Sequence, residues 1–284
     1  MTTQTLSQIP DARRLFLKAA TTIGRRPKGQ PKLPALEVEV KDVGVDASHL
    51  ASYAEVCGFA NTERLPITFP HVMAGALHLH LLTQKTFPFP LLGLVHVRNE
   101  IRQQRALRPD ERFDLRVRVG ESRAVRQGIE FDLLTDLSIG EAPVWTEVST
   151  ILHRVPTPKA APAPRPAPAP SALSDYRSFT AAADIGRRYA PVGHDFNPIH
   201  LTPLAARLFG FKRHIAHGMW SLAHCAALLE AELPQAPREL AVQFKQPLFL
   251  PGRVTLKFRR GGDGIEFALL ASRADKVHLT GSLR

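Results

Sequence analysis

The chain of 284 residues is longer than one average domain, and its 44% hydrophobic content is enough to fill a sizeable core. The formal net charge is +11, but the basic residues are spread along the chain and are not interleaved with stacking aromatic residues, which argues against a nucleic-acid partner. No apolar run approaches the ~20 residues of a membrane span, and two distant cysteines without a CxxC spacing argue against a disulfide framework.

The N-terminal segment carries positive charge and one short apolar stretch. Arg13 and Arg14 precede residues 15–17, and Lys18 interrupts the apolar run that they begin. This stretch is too short for the apolar region of a secretory signal peptide. It predicts a surface arm or a short helix, with an Arg-rich transit peptide as the alternative. Together with the cysteine pattern, it leads us to expect a cytoplasmic protein.

Two similar series of elements follow along the chain. The first is an apolar helix over about 71–83 and then strands near 93–101, 112–119, 129–139 and 144–154. The second is an apolar helix over about 217–232 and then strands near 240–246, 253–260, 265–272 and 276–283. The second helix has little polar surface, so both of its sides should be buried.

Short repeated peptides support a duplication of these two series. YAEV at 53–56 matches YAPV at 189–192, and GIEF at 128–131 recurs at 264–267, at the same spacing along the chain. Matching peptides in the same order as matching strands indicate two related units in one chain.

A segment rich in proline and alanine separates the two units. Residues 156–170 read PTPKAAPAPRPAPAP, a composition that forms neither a helix nor a sheet ladder and favours an extended spacer. We therefore predict an N-terminal unit over 1–155, a linker over 156–170 and a C-terminal unit over 171–284.

The order of elements predicts an α+β architecture. A single apolar helix followed by antiparallel strands suggests a sheet that curls around that helix. One unit alone would expose the edge of its sheet, and pairing two units would cover it. We expect one body made of two fused units.

The stretch DFNPIH at 195–200 is the strongest chemical signal in the sequence. Thr180 predicts the start of a helix that runs to about Tyr189 and that Pro191 and Gly193 end. Thr202 followed by Pro203 predicts the start of another. The stretch between them is thus predicted to be a loop that directs its carboxylate and its imidazole into one space.

The residue types in this loop suit acid–base chemistry on water beside a thioester. Asp195 and His200 can share a water molecule, and either group can take a proton from it or return one to carbon. The amide of Asn197 could orient the acid or the water. The alternative is structural: Asp195 caps a turn and His200 fills a polar position in the core.

A second signal is His217-Gly218-Met219, at the predicted start of the buried helix. Negative charge on a thioester oxygen needs fixed N–H donors, which the first turn of a helix provides. Gly218 lets a ligand approach the backbone, so we assign its N–H to an oxyanion site; tight helix packing is the alternative. His217, its neighbour, is a candidate for substrate binding.

Three basic residues after the loop, Arg207, Lys212 and Arg213, are candidates for substrate binding as well. They could attract the phosphates of a thioester cofactor or an acidic carrier protein, and a merely solvated basic surface is the alternative.

Other chemistry lacks support in the sequence. His214, His217 and His224 have no second cluster that would complete a zinc site, and Ser221 lacks a G-x-S-x-G elbow. No glycine-rich dinucleotide fingerprint follows a strand. We therefore expect no metal and no cofactor.

Several segments resemble the MaoC-like dehydratase, or hydratase 2, family. The resemblance is carried by residues 189–211 and 214–219, which hold the two signals, and by QFKQPLF at 243–249 and PGRV at 251–254. FPFPLLGLVH at 87–96 is similar to the non-catalytic half of two-unit members. The family implies a double hot-dog fold and (R)-specific hydration of enoyl thioesters, or the reverse reaction.

The resemblance also implies roles for individual residues. The family's acid, base and motif asparagine correspond to Asp195, His200 and Asn197, and its oxyanion glycine corresponds to Gly218. His194 departs from the family, where glycine commonly precedes the acid, and we expect this neighbour to shift the acidity of Asp195. CoA or the phosphopantetheine of an acyl carrier protein would be part of the substrate.

The first half has no D-x-N-P-x-H, so we expect one active site per chain, with the degenerate half making room for the acyl chain. A hot-dog thioesterase and a non-catalytic acyl-thioester-binding subunit are the alternative functions. A homodimer is the assembly that we consider.

Overall fold

A computed structural model describes residues 2–27, 29, 31–155, 173–262, 264–273 and 276–284. The predicted linker, residues 156–170, lies outside these residues. Within them, eleven strands join in one sheet and two long apolar helices lie against its inner face.

The strands are, in chain order, β1 (Thr2–Leu6), β2 (Leu36–Val43), β3 (Leu94–Gln103), β4 (Phe113–Val125), β5 (Gly128–Ile139), β6 (Ala142–Arg154), β7 (Asp175–Ala181), β8 (Glu239–Phe244), β9 (Gly252–Gly261), β10 (Gly264–Ala271) and β11 (Val277–Leu283). Their order across the sheet is β1-β2-β4-β5-β6-β3-β8-β11-β10-β9-β7. All neighbours are antiparallel except β1 and β2, which are parallel.

The helices are α1 (Ala12–Ala19), α2 (Ala47–Cys57), α3 (Phe69–Leu82), α4 (Ile185–Gly193), α5 (Pro198–Leu201), α6 (Pro203–Leu208) and α7 (Gly218–Glu230). In α3, 11 of the 14 residues are buried, which explains why its sequence is apolar on every side. None of the described helices combines the length and the apolar character that crossing a bilayer would need.

The two units meet at the centre of the sheet. β3 of the first unit pairs antiparallel with β8 of the second, from Arg98 opposite Gln243 to Arg102 opposite Glu239. Each strand would otherwise be the edge of its own sheet, and the pairing satisfies both rows of backbone groups. The fold is therefore a double hot-dog, as predicted.

The predicted strands and long helices agree with the observed ones to within a few residues, except that β4 continues to Val125, six residues beyond its predicted end. The prediction omits β1, β2, α2 and β7. The expected helix start at Thr180 is wrong, because the backbone of Thr180 pairs with Arg253 inside the sheet. The helix begins at Ile185, includes Pro191, and has as its last residue Gly193, which was predicted to end it.

The N-terminal segment forms the predicted short helix, α1. The Asp11 carboxylate caps it by accepting the Arg14 N–H at 3.0 Å. Farther along, the Arg25 guanidinium donates to four backbone carbonyls around the end of α3, those of Leu82, Thr83, Gln84 and Phe89. These bonds satisfy carbonyls that the helix end leaves without partners, and they attach the segment to the first unit.

Candidate active site

The catalytic motif begins where α4 ends. His194 follows the helix in a left-handed conformation, with φ of 52°, a position that favours glycine. Its ring donates from Nδ1 to the Val72 carbonyl at 3.1 Å and packs on His49, with 4.7 Å between ring centroids. Both contacts anchor the turn to the first unit.

Only part of the motif is a loop. Asp195, Phe196 and Asn197 are irregular, but Pro198 begins the one-turn helix α5, and His200 lies in that helix rather than in a loop. The helix forms because Pro198 suits its first position and the Asn197 side chain accepts the Ile199 N–H at 3.4 Å. This short turn fixes the position of the His200 ring.

The structure brings Asp195, His200 and His217 together. Oδ2 of Asp195 lies 4.0 Å from Nε2 of His200 and 3.9 Å from Nε2 of His217. The two imidazole rings stack with 3.8 Å between their centroids. Both histidines are buried, whereas 42% of the Asp195 side chain remains exposed, so the carboxylate faces a space that solvent can reach.

Backbone carbonyls fix which nitrogen of each ring carries a proton. His200 donates from Nδ1 to the Ile215 carbonyl at 2.9 Å, which leaves the lone pair of the neutral ring on Nε2, facing Asp195. His217 donates from Nε2 to the Asp195 carbonyl at 3.0 Å. His217 therefore holds the loop that carries the acid, while His200 presents a base.

The environment sets the charge of all three groups. Burial lowers the pKa of His200, and burial together with the nearby His200 lowers the pKa of His217 to about 3. Burial acts to raise the pKa of Asp195, but the two histidines and the Asn197 N–H, which donates to Oδ1 at 3.0 Å, lower it overall. At neutral pH the site holds one carboxylate and two neutral rings.

This arrangement can hold a water molecule between two acceptors. Oδ2 of Asp195 and Nε2 of His200 are 4.0 Å apart, so one water at hydrogen-bond distance, about 2.8 Å, from each could donate to both. The Asn197 backbone, not its side-chain amide, makes the bond that positions the acid.

Gly218 is the first residue of α7, so its N–H has no carbonyl one turn earlier in the helix. A Cβ atom at this position would lie 3.1 Å from the Phe244 ring, closer than side chains normally approach. The absence of a side chain thus lets β8 and the start of α7 pack closely beside His217.

The three basic candidates are not part of the cluster of Asp195, His200 and His217. Arg207, Lys212 and Arg213 are exposed on α6 and the turn after it, where the Arg207 side chain reaches the Lys212 carbonyl at 3.4 Å. The sequence prediction did not include the apolar residues exposed beside them: Leu204 is 71% exposed and Leu208 81%.

The histidines considered as zinc ligands do not converge. His214 bonds to the Ala183 carbonyl at 2.7 Å and His224 to the Cys57 carbonyl at 2.8 Å. Donor atoms of Asp195, His200 and His217 do lie within 4.8 Å of one another, but His217 Nε2 is already engaged by a carbonyl. The expectation that no metal binds stays a prediction.

The motif also packs against the N-terminal segment, a contact that our sequence prediction did not include. Phe196 meets the Phe16 ring edge-on at 6.1 Å, and the Arg13 guanidinium lies 5.2 Å from the centre of the Phe196 ring. These contacts join residues far apart in the chain, and only the folded structure can reveal them.

Fold and site together define a two-unit hot-dog protein with an Asp–His pair just ahead of the second central helix. A family profile described as MaoC like domain matches residues 169–280. The 3-hydroxyacyl-thioester dehydratase X of Mycobacterium tuberculosis is 36% identical over 258 residues, which cover 89% of this chain and 90% of that protein. The chain belongs to the MaoC-like dehydratase family.

A solved structure and a shorter sequence match agree with this family. The crystal structure of HtdX from Mycobacterium tuberculosis has a TM-score of 0.77 and 34% identity, covering 87% of this chain and 98% of that one. The (R)-specific enoyl-CoA hydratase of Aeromonas caviae is 36% identical over 70 residues, which are 24% of this chain and 52% of that protein.

Proposed function

We propose that this protein is a hydro-lyase that adds water to (2E)-enoyl thioesters and removes it from (R)-3-hydroxyacyl thioesters. The observation that carries the proposal is the Asp195 carboxylate facing the unprotonated Nε2 of His200 across 4.0 Å. The named activities of the relatives in Mycobacterium tuberculosis and Aeromonas caviae support it.

The charge states suggest where the transferred proton comes from. An ionised Asp195 and a neutral His200 with a free Nε2 are both acceptors, so neither brings a proton into the hydration step. The water that attacks the β-carbon gives its proton to one of them, and that group then delivers the proton to the α-carbon. Dehydration uses the same steps in reverse.

Gly218 is proposed to stabilise the thioester oxygen while negative charge develops there. Its N–H lies at the positive end of the α7 dipole, beside the ring of His217. Asn197 is assigned to positioning the acid through its backbone N–H, and His217 to holding the same loop through the Asp195 carbonyl.

The thiol carrier is proposed to be CoA or acyl carrier protein, with no cofactor beyond the phosphopantetheine of the substrate. Arg207, Lys212 and Arg213 form an exposed basic surface directly after the site, which suits the phosphates of CoA or an acidic carrier.

The test is turnover of a series of enoyl-CoA thioesters by the wild-type protein and by Asp195→Asn and His200→Ala. Loss of enoyl absorbance should slow by about 10²–10⁴-fold in each variant, while the thermal unfolding midpoint stays near that of the wild type. Near-normal hydration in either variant would contradict the assignment.

Two readouts separate the alternative functions in the same assay. A thioesterase would release free thiol, whereas hydration consumes the double bond and keeps the thioester. Binding of acyl-CoA without turnover at any chain length would favour a non-catalytic subunit.

A further inference from the structure

A group of polar side chains lies inside the first unit, between α3 and the inner face of the sheet. His71 on α3 donates from Nδ1 to Oε1 of Glu147 on β6 at 2.7 Å. Asn99 on β3 donates to the same oxygen at 2.6 Å. His96 on β3 stacks near His71, with 6.1 Å between ring centroids. We call these four residues the first-unit polar cluster.

The cluster contains three buried acceptors that no described residue satisfies: Oε2 of Glu147, Oδ1 of Asn99 and Nε2 of His96. Burial lowers the pKa of His96 to about 4, so its ring is neutral at neutral pH. A hydrogen bond of the ring with the Arg98 backbone acts to raise this pKa, as a bond donated to a carbonyl does. The proton is then on Nδ1, which leaves Nε2 as an acceptor. Buried acceptors without donors are costly, so the cluster suits a ligand that supplies an O–H group.

The charges within the cluster favour a neutral ligand. Burial would lower the pKa of His71, but Glu147 raises it, and the same pair holds the pKa of Glu147 at about 2. The two groups therefore form an ion pair whose charges cancel. A second cation or anion would have no counter-charge in this interior, whereas a hydroxyl needs none.

The cluster borders the active site. The His96 ring lies 5.1 Å from the ring of Phe244, and Phe244 packs against the backbone of Gly218. The Asp195 carboxylate is near enough to contribute to the pKa values of His71 and His96. About 15% of the His71 side chain is exposed, so the cluster is not sealed from solvent.

We propose that the first-unit polar cluster is a subsite for a hydroxyl group on the acyl chain of the substrate. This rests on the proposed function, which places the thioester at Asp195 and Gly218. Water offers the same O–H chemistry and occupies the subsite when the chain has no hydroxyl.

Because the cluster is deeply buried, we assign this hydroxyl to the acyl chain rather than to the thiol carrier. Asn99 is fully buried and Glu147 is 2% exposed, whereas the Asp195 side chain is 42% exposed. The carrier arm must lead out to solvent, so the acyl end is the part of the substrate that extends inward from the thioester.

The interior of the first unit gives a second reason. α3 contributes apolar side chains to this half, whereas the first-unit polar cluster forms a polar wall beside them. A plain alkyl chain against that wall would displace water and leave the three acceptors unpaired. A hydroxyl on the chain would donate its one O–H to one of these acceptors.

The first experiment uses the wild-type protein alone. Hydration is measured for hexenoyl-CoA and for its mono-hydroxylated forms, with the hydroxyl at each carbon beyond the double bond. One of these forms should exceed the plain thioester in kcat/KM by about tenfold, the effect of one hydrogen bond to a buried polar group. A ratio near one at every position would overturn the proposal.

Matched variants then locate the effect. In His96→Phe the best ratio should fall towards one, because Nε2 is lost from a half-buried ring that already neighbours Phe244. His153→Phe, the same change on β6 outside the cluster, should keep both the ratio and the basal rate. Equal losses in the two variants would contradict the subsite.

A third variant tests whether the result of His96→Phe reflects only a local disturbance at that ring. Asn99→Leu removes a different acceptor and should lower the same ratio. For the wild-type protein, turnover with a ratio near one rejects the subsite alone, whereas no turnover of any enoyl thioester rejects the proposed function.

Discussion

At the scale of single residues, the site depends on two backbone carbonyls as much as on its side chains. The Ile215 carbonyl holds the proton of His200 on Nδ1, and the Asp195 carbonyl holds that of His217 on Nε2. Two stacked imidazoles of the same type thus take opposite tautomers and different roles. Burial keeps both neutral, which leaves Asp195 as the charged member of the group.

These shifts predict how activity depends on pH. The pKa of His200 is lowered from its usual 6.5, so its Nε2 stays unprotonated through neutral pH and is lost as a base only as the pH falls below that value. The pKa of Asp195 is also lowered, from its usual 3.8, so the carboxylate stays ionised throughout the neutral range. We expect kcat/KM for hydration to be level at neutral pH and to fall on the acid side.

The pH profile of kcat/KM on hexenoyl-CoA measures this directly. Fluorescence of Trp145 and Trp220, both buried, serves as the control that the protein remains folded across the range. An acid limb with its midpoint above 6.5 would mean that the pKa of His200 is raised, and would contradict the environment described for it.

At the scale of elements, the sequence predicts the helices and strands in which buried side chains recur at a regular spacing. The central helices and the strands of both repeats fall into this class. The sequence does not predict β7, because it is an edge strand whose side chains are mostly exposed. It therefore shows no alternation of apolar and polar residues. β2 does alternate, as Leu-Glu-Val-Glu-Val, and our prediction omits it although the signal is present.

The motif residues of the site were found from sequence because they lie close together in the chain. Phe244, His96 and Glu147 were not, because each comes from a different strand and reaches the site region only after the sheet has formed. Their positions depend on which strands become neighbours across the junction, and local patterns carry no such information.

The surface of α6 carries the next prediction. Replacing Arg207, Lys212 and Arg213 together by alanine should raise KM for an enoyl-CoA by about three- to tenfold at low salt, with little change in kcat. These side chains are exposed, so their attraction for phosphate is long-range and screened by ions. The salt dependence of KM should weaken in the same variant.

A matched control distinguishes the effect of these three side chains from the effect of the protein's net charge. Lys41, Arg102 and Arg108 are also exposed basic residues and lie on other parts of the fold, so their triple alanine variant removes the same charge elsewhere. If both triple variants change KM equally, net charge and not the α6 surface attracts the substrate.

At the scale of the whole molecule, the two units are bound by more than the sheet. Trp220 on α7 donates to the Val56 carbonyl at 3.1 Å, and His224 bonds to the Cys57 carbonyl at 2.8 Å. Both carbonyls lie at the end of α2 and would otherwise lack helical partners. Tyr53 of α2 and Tyr189 of α4, equivalent positions in the repeat, are buried with 6.3 Å between their rings.

This continuity predicts that the units stay together without a covalent connection. A protease site inserted within residues 156–170 should, once cut, yield two fragments that coelute in size-exclusion chromatography and retain most hydratase activity. The β3–β8 pairing and the α2–α7 hydrogen bonds lie outside the linker and survive the cut. The uncut protein with the same insertion is the control. Separation of the fragments, or loss of activity on cutting alone, would mean that the linker itself holds the site together, and the unit boundaries predicted from the Pro/Ala-rich segment would have to be redrawn.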